Sequence, residues 1–200
     1  AVMLARNFSG PVLTAPRRME GVKAAADLGC EVVVLDDGFQ HRAIGRAVDL
    51  VLLDDRRGAL LPAGPLRERL RALRRADAVI LVQDDPTGRP TKAPRMRVKK
   101  PVYQMQFVPT ALMEAVAGSW QNHPVRELAA KRVVVVSGIA RPERFYRLLG
   151  QWDVVIQEVF EYPDHHRYTA TDWLEIARCS QTADLVVTTE KDLVKLESFP

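Results

Sequence analysis

At 200 residues the chain has room for one large or two small domains. With 47% hydrophobic and 27% charged residues it buries a core rather than staying disordered. No apolar run approaches the ~18 residues of a spanning helix, no basic-then-apolar leader is visible, and two cysteines, Cys30 and Cys179, are too few for a disulfide framework or a structural zinc site. The net charge of +4 comes with 22 Arg against 7 Lys, an excess that suits phosphate-bearing ligands and that GC-rich coding would also produce.

In chain order, short β-branched runs predict strands at Val12–Ala15, Glu31–Leu35, Asp49–Leu53, Ala78–Val82, Val102–Val108, Arg132–Val136, Val154–Phe160 and Leu185–Thr188. Several are apolar throughout, the pattern of strands buried on both faces of a parallel sheet. Helices are predicted between them. Arg18–Leu28 places Met19, Val22 and Ala26 on one side and stops at Gly29. Pro65 opens a helix to about Arg75 with Leu66, Leu70 and Leu73 as its stripe. Pro142 opens another, and Thr169 with Asp172 has the form of a capping box. Thr189 is placed to cap a last helix. Alternating strands and helices mean an α/β fold. A Pro-rich stretch between about Asp84 and Lys100 reads as an exposed loop, and a domain boundary falls near Pro109.

Asp pairs end three of these strands: Asp36-Asp37, Asp54-Asp55 and Asp84-Asp85. Ligands of open parallel sheets bind beyond the carboxyl ends of strands. Val32-Val33-Val34-Leu35-Asp36 has the form of a Walker B element, whose Asp holds Mg²⁺ beside nucleotide phosphates. The alternative for Asp36 is a cap on whatever follows. Gly38 permits a tight turn, and Gln40 is placed to meet phosphate or sugar. Leu61–Glu68 turns stiffly into a helix start, where Arg67 offers phosphate a fork. Glu68 is either a metal ligand or the group that orients Arg67. Arg67, Arg71 and Arg74 form a basic stripe that suits an anionic membrane surface or simply solvent. Asp164-His165-His166 offers a proton acceptor beside a carboxylate. Lys191, after the last strand, could meet phosphate.

Five segments then fall together: Asp36–His41, Leu61–Glu68, Ser137–Phe145, Phe160–His166 and Thr189–Asp192. In this order they resemble the tetraacyldisaccharide 4′-kinases of Gram-negative bacteria, and the resemblance spans essentially the whole chain. It implies a P-loop-kinase-like parallel sheet plus a smaller C-terminal α/β domain, here residues 1–108 and 109–200, with the active site in the cleft between them. It implies transfer of the ATP γ-phosphoryl, with Mg²⁺, to the 4′-hydroxyl of a tetraacylated glucosamine disaccharide 1-phosphate. The enzyme would sit peripherally on the cytoplasmic face of the inner membrane. By motif match Asp36 and Asp37 become the Walker B carboxylates, Asp36 and Glu68 the Mg²⁺ ligands, and Arg18, Gln40, Arg67 and Glu68 the active-site lining. Asp164 and His165 become catalytic, His165 as partner of a carboxylate that the family carries upstream of the stretch matching Val2–Arg6. The family's G-x-x-x-x-G-K-[ST] phosphate loop has no match in these 200 residues. The chain therefore reads as an N-terminally shortened kinase, expected to be inert by itself. A non-catalytic module for anionic glycolipid is the alternative. Nucleic acid is disfavoured, because aromatics are only 6% and no basic–aromatic interleaving occurs.

Overall fold

The computed structural model describes residues 1–53, 60–64, 66–83, 99–116 and 119–199. The Asp54-Asp55 and Asp84-Asp85 pairs, Pro65 and the prolines at 86, 90 and 94 lie outside the described residues. The chain divides into two compact units, Leu13–Phe107 and Val108–Pro200, the latter joined by Ala1–Val12. Those first twelve residues, expected with the N-terminal unit, include α1 (Val2–Asn7), which packs on α5 (Glu190–Leu196). Arg6 holds Glu197 through two hydrogen bonds of 2.5 and 2.6 Å and covers the ring of Trp120, whose indole N–H donates to the same carboxylate.

In the N-terminal unit, β1 (Leu50–Leu53), β2 (Ala78–Gln83) and β3 (Val102–Gln106) form a parallel sheet in sequence order. Leu73, Val79 and Leu81 make its core, with Val51 and Leu53 against them. The helix α2 (Arg18–Asp27) ends where expected, with Gly29 in the left-handed region at φ +77°. Its one buried residue is Ala25, outside the expected stripe.

Two expected strands are absent. Val12–Ala15 and Glu31–Leu35 pair with no strand among the described residues, and Val34 is 90% exposed. An apolar β-branched run extends the chain, but a strand exists only where a neighbour completes its hydrogen-bond ladder. The helix expected from Pro65 is also shorter and tighter, a 3₁₀ segment at Leu70–Arg75. Leu66 is drawn instead into a bridge with Leu60, and Arg69 is extended at ψ 149°. The i, i+4, i+7 stripe of arginines therefore does not exist as an α-helical face.

The C-terminal unit has a three-stranded parallel sheet of order β7-β6-β8, from β6 (Arg132–Ser137), β7 (Val155–Glu161) and β8 (Leu185–Thr188). The central strand β6 is fully buried from Val133 to Ser137. Val133 and Val135 pack against Leu149 of α3 (Pro142–Leu149). Val134 and Val136 pack against Ile176 of α4 (Ala170–Ser180) and Leu196 of α5. Helices therefore cover both faces, which is why β6 carries no polar alternation. The hairpin of β4 (Leu112–Val116) and β5 (Ser119–His123) is not evident from pattern, since Val116 and Trp120 are its only strongly β-favouring residues.

Candidate active site

The predicted residues of the N-terminal unit gather around one turn. Gly38 is buried, and a side chain there would press on Leu35 Cβ at 2.9 Å, so the chain needs glycine to fold back after Asp37. Asp37 itself is left-handed at φ +52°. Arg18 reaches this turn from α2: one guanidinium nitrogen lies 2.7 Å from His41 Nε2 and another donates to the Asp36 carbonyl at 3.3 Å. Arg67 points to Asp37 at 3.5 Å, an exposed and therefore weak pair. Asp36, Asp37 and Gln40 are exposed, and among the described residues the Asp36 carboxylate accepts no hydrogen bond.

Glu68 does something else. Both its carboxylate oxygens accept from Arg75, at 2.9 and 3.0 Å, so it orients Arg75 rather than Arg67. Arg75 in turn lies flat over Phe39 at 4.5 Å, tying the 66–75 segment to the Asp36–His41 turn. No group of three or more His, Cys, Asp or Glu among the described residues is arranged to hold a metal.

In the C-terminal unit, three clusters far apart in sequence meet at the carboxyl edge of the sheet. Ser137-Gly138 leaves β6, Asp164-His165-His166 follows β7, and Lys191-Asp192 opens α5 after β8. Asp192 is the buried centre. Its carboxylate accepts the Gly138 N–H at 2.9 Å and the Thr189 hydroxyl at 2.9 Å, and Lys195 pairs with it at 2.7 Å. Burial pushes its pKa up, yet the Lys195 ammonium and the Gly138 and Thr189 donors outweigh this and hold it below the usual range. The Gly138 carbonyl then accepts the His165 N–H at 3.3 Å. Asp192 thus fixes the backbone that presents His165. A side chain on Gly138 would sit 3.1 Å from the Tyr168 hydroxyl and 3.2 Å from Asp192 Oδ1, so this close approach needs glycine.

The two histidines are separated by geometry. His165 is left-handed at φ +63°, and its side chain is 77% exposed, 3.6 Å from Asp164. His166 is stacked on Tyr162 at 4.5 Å, meets the edge of Tyr168, and hydrogen-bonds Asp172 at 3.1 Å. His166 is a brace, whereas the His165 side chain stands in solvent. The partner of Asp164 is Lys191 at 2.6 Å, which holds the carboxyl below its usual range.

Asp192, Gly138 and Tyr168 were missed in the sequence as parts of this site. The signal was present for Asp192: Thr189-x-x-Asp192 repeats the capping pattern of Thr169-x-x-Asp172, and both threonines do cap their helices.

Asp164, Asp172, Asp184, Asp192 and Glu197 all have lowered pKa values, Asp184 at about 2 through Arg132. A depressed folded pKa adds stability that is present above the unfolded value and is lost as pH falls through the folded one. The thermal midpoint is therefore expected to be flat above about pH 5 and to drop steeply below about pH 4. Calorimetry across that range checks it, and a midpoint unchanged down to about pH 3 would contradict it.

The family model for tetraacyldisaccharide-1-P 4′-kinase (LpxK) matches residues 1–200. The chain belongs to that family. Tetraacyldisaccharide 4′-kinase of Syntrophus aciditrophicus (strain SB) is 38% identical over 98% of this chain and 57% of its own length. That of Syntrophotalea carbinolica is 39% identical over 96% of this chain and 53% of its own. The crystal structure of the apo form of LpxK from Aquifex aeolicus in complex with ATP superposes with a TM-score of 0.60 at 28% identity, over 90% of this chain and 53% of that one. The chain thus spans about half the length of the relatives it matches, and its mixed α/β architecture with parallel sheets superposes on that of the Aquifex aeolicus protein.

Proposed function

We propose that this chain is the part of a lipid A 4′-kinase that carries the Walker B turn and the His165 loop, and that the enzyme moves the γ-phosphoryl of ATP to the 4′-hydroxyl of a tetraacylated glucosamine disaccharide 1-phosphate. The observation that carries this reading is the gathering of Arg18, Asp36, Asp37 and Arg67 about one turn in a chain matched throughout by the family model. ATP as co-substrate is supported by the ATP complex of the Aquifex aeolicus relative.

The donor chemistry suits Mg²⁺, a hard cation that takes one or two carboxylates beside phosphate oxygens. Asp36, exposed and with a carboxylate that accepts no hydrogen bond among the described residues, is the ligand, with Asp37 beside it. Glu68, whose oxygens are taken up by Arg75, does not fit that role in this arrangement. When bound, Mg²⁺ supplies neutralisation of the phosphate oxygens. Arg18 holds the turn, Arg67 opposes the charge of the transferring group, and Gln40 lines the same turn. His165 partners the carboxylate that the family carries upstream of the stretch matching Val2–Arg6, and that carboxylate takes up the proton of the acceptor hydroxyl; Asp164, itself fixed by Lys191, stands beside the imidazole. Among the described residues no helix is long and apolar enough to cross a membrane. The proposed location is peripheral, on the cytoplasmic face of the inner membrane.

The test is phosphoryl transfer from ATP by a polypeptide of the relatives' full length that contains residues 1–200, with the product's phosphate position read by ³¹P NMR. A 4′-phosphate supports the reading, and a product phosphorylated elsewhere, or none, refutes it. The 200 residues by themselves are expected to bind Mg-ATP more weakly than about 100 μM, because backbone N–H groups and the Lys of a phosphate loop normally grip the β and γ phosphates. Calorimetry decides, and micromolar affinity would count against this account of the motif's role.

A further inference from the structure

The last residue of β6 is polar where its predecessors on the same face are valines. Val133, Val135 and Ser137 alternate along one side of the strand, and α3 covers that side, with Leu149 on the valines. Tyr146 stands three residues before Leu149, on the same side of α3, and its hydroxyl lies 3.0 Å from Ser137 Oγ. Ser137 is fully buried, so its hydroxyl needs a partner inside the protein. The Tyr146 hydroxyl in turn donates to Glu161 Oε2 at 3.1 Å, and Glu161 is the residue that faces Ser137 in the β6–β7 ladder. Burial holds the Tyr146 phenol above the usual tyrosine range, so it keeps its proton at neutral pH. A carboxylate only accepts, so that proton goes to Glu161, and the Ser137 O–H donates to Tyr146.

This relay ends at the two residues from which the His165 loop hangs. The Ser137 carbonyl accepts the Tyr162 N–H at 2.8 Å, and the Gly138 carbonyl accepts the His165 N–H at 3.3 Å. The Gly138 N–H goes to Asp192. Those backbone bonds tie the loop to the end of β6, and the Tyr146 hydroxyl ties the ends of β6 and β7 to α3. His165 is left-handed at φ +63°, a conformation that its surroundings must maintain against the preference of an ordinary residue. We propose that Tyr146 is a positioning residue for phosphoryl transfer, its hydroxyl setting the place of His165 through Ser137 and Glu161. The role of Tyr146 rests on that of His165 in the proposed function.

A reacting group displaced by about 1 Å loses up to roughly 10²-fold in rate. Tyr146→Phe, in the enzyme of full length, is therefore expected to lower kcat by about 5- to 50-fold and to leave KM within about twofold. Tyr146→Phe orphans the buried Ser137 hydroxyl; Ser137→Ala together with Tyr146→Phe removes both partners and keeps the fold where the single change does not. Steady-state kinetics, well below every melting midpoint, compare both variants with the parent and repeat the comparison in a His165→Ala background. The same changes are expected to cost no more than about twofold once His165 is gone. A role in stability only would leave the kcat of the folded enzyme unchanged in either background. Normal kcat in both Tyr146 variants beside a crippled His165→Ala overturns the proposal and spares the reading of His165. Equal losses in the two backgrounds also overturn it. Normal turnover in His165→Ala overturns that reading, and the positioning role with it.

Discussion

Replacing His165 by Ala, in the enzyme of full length, is expected to lower kcat by about 10²- to 10⁴-fold with little change in KM for the lipid. A side chain that takes up or orients a proton acts mainly in the transition state, so ground-state binding barely registers its loss. The geometry supplies the control. His166 is braced by Tyr162, Tyr168 and Asp172, so His166→Ala should cost about 1–3 kcal/mol of stability while leaving kcat, measured well below the melting temperature, within a few-fold. Arg67→Ala should raise KM for ATP as well as lower kcat. Near-normal turnover in His165→Ala would end the catalytic assignment, and a larger kcat loss in His166→Ala would move it to the wrong-looking neighbour.

The second large effect is structural. Asp192→Ala removes the acceptor shared by Gly138, Thr189 and Lys195 at a fully buried position. Orphaned buried donors of this kind cost about 3–5 kcal/mol. For a unit of this size that corresponds to a fall of roughly 12–40 °C in melting temperature. Asp192→Asn keeps an oxygen for the Gly138 N–H and the Thr189 hydroxyl but turns an amide N–H toward Lys195 and loses that ion pair, so its fall should be smaller than that of Asp192→Ala. Because the Gly138 carbonyl holds the His165 N–H, Asp192→Asn should also lower kcat in the full-length enzyme at temperatures where it is fully folded. Calorimetry and kinetics on both variants check this. An Asp192→Ala protein that melts within about 3 °C of the parent would show that the carboxylate is not the brace described.

The C-terminal unit was the more legible in sequence, and the reason is local. Its central strand Val133–Val136 is buried on both faces, its helices start at Pro142, Thr169 and Thr189, and each signal acts within a few residues. The N-terminal unit depends on partners that pattern cannot supply. Val32-Val33-Val34 reads as a strand, yet the structure leaves it exposed and without a ladder among the described residues, because strand formation is decided by a neighbour. The 65–75 helix failed because Leu66 bridges to Leu60, a non-helical pairing that outweighs the leucine spacing. At the site, the identities of Arg18, Asp36, Asp37, Arg67, Asp164, His165 and Lys191 could be picked from motifs. Their pairings could not: Glu68 with Arg75 and Asp164 with Lys191 are set by tertiary approach across 7 and 27 positions. The resemblance singles out His165 over His166, but the physical reason, the stack of His166 on Tyr162 and the backbone bond of His165 to Gly138, is set by tertiary packing.

On the proposed function, substitutions in the Asp36–Arg67 turn and in the His165 loop act on the same phosphoryl transfer. A double-mutant cycle in the full-length enzyme measures this most directly, comparing kcat/KM for Arg67→Ala, His165→Ala and the pair. Residues that act as parts of one machine are strongly non-additive. The account predicts that the double variant lies within about tenfold of the worse single variant, a coupling of roughly 1.5 kcal/mol or more. Losses that simply multiply, to within about 0.5 kcal/mol, would contradict it and leave the two clusters as independent features of the chain.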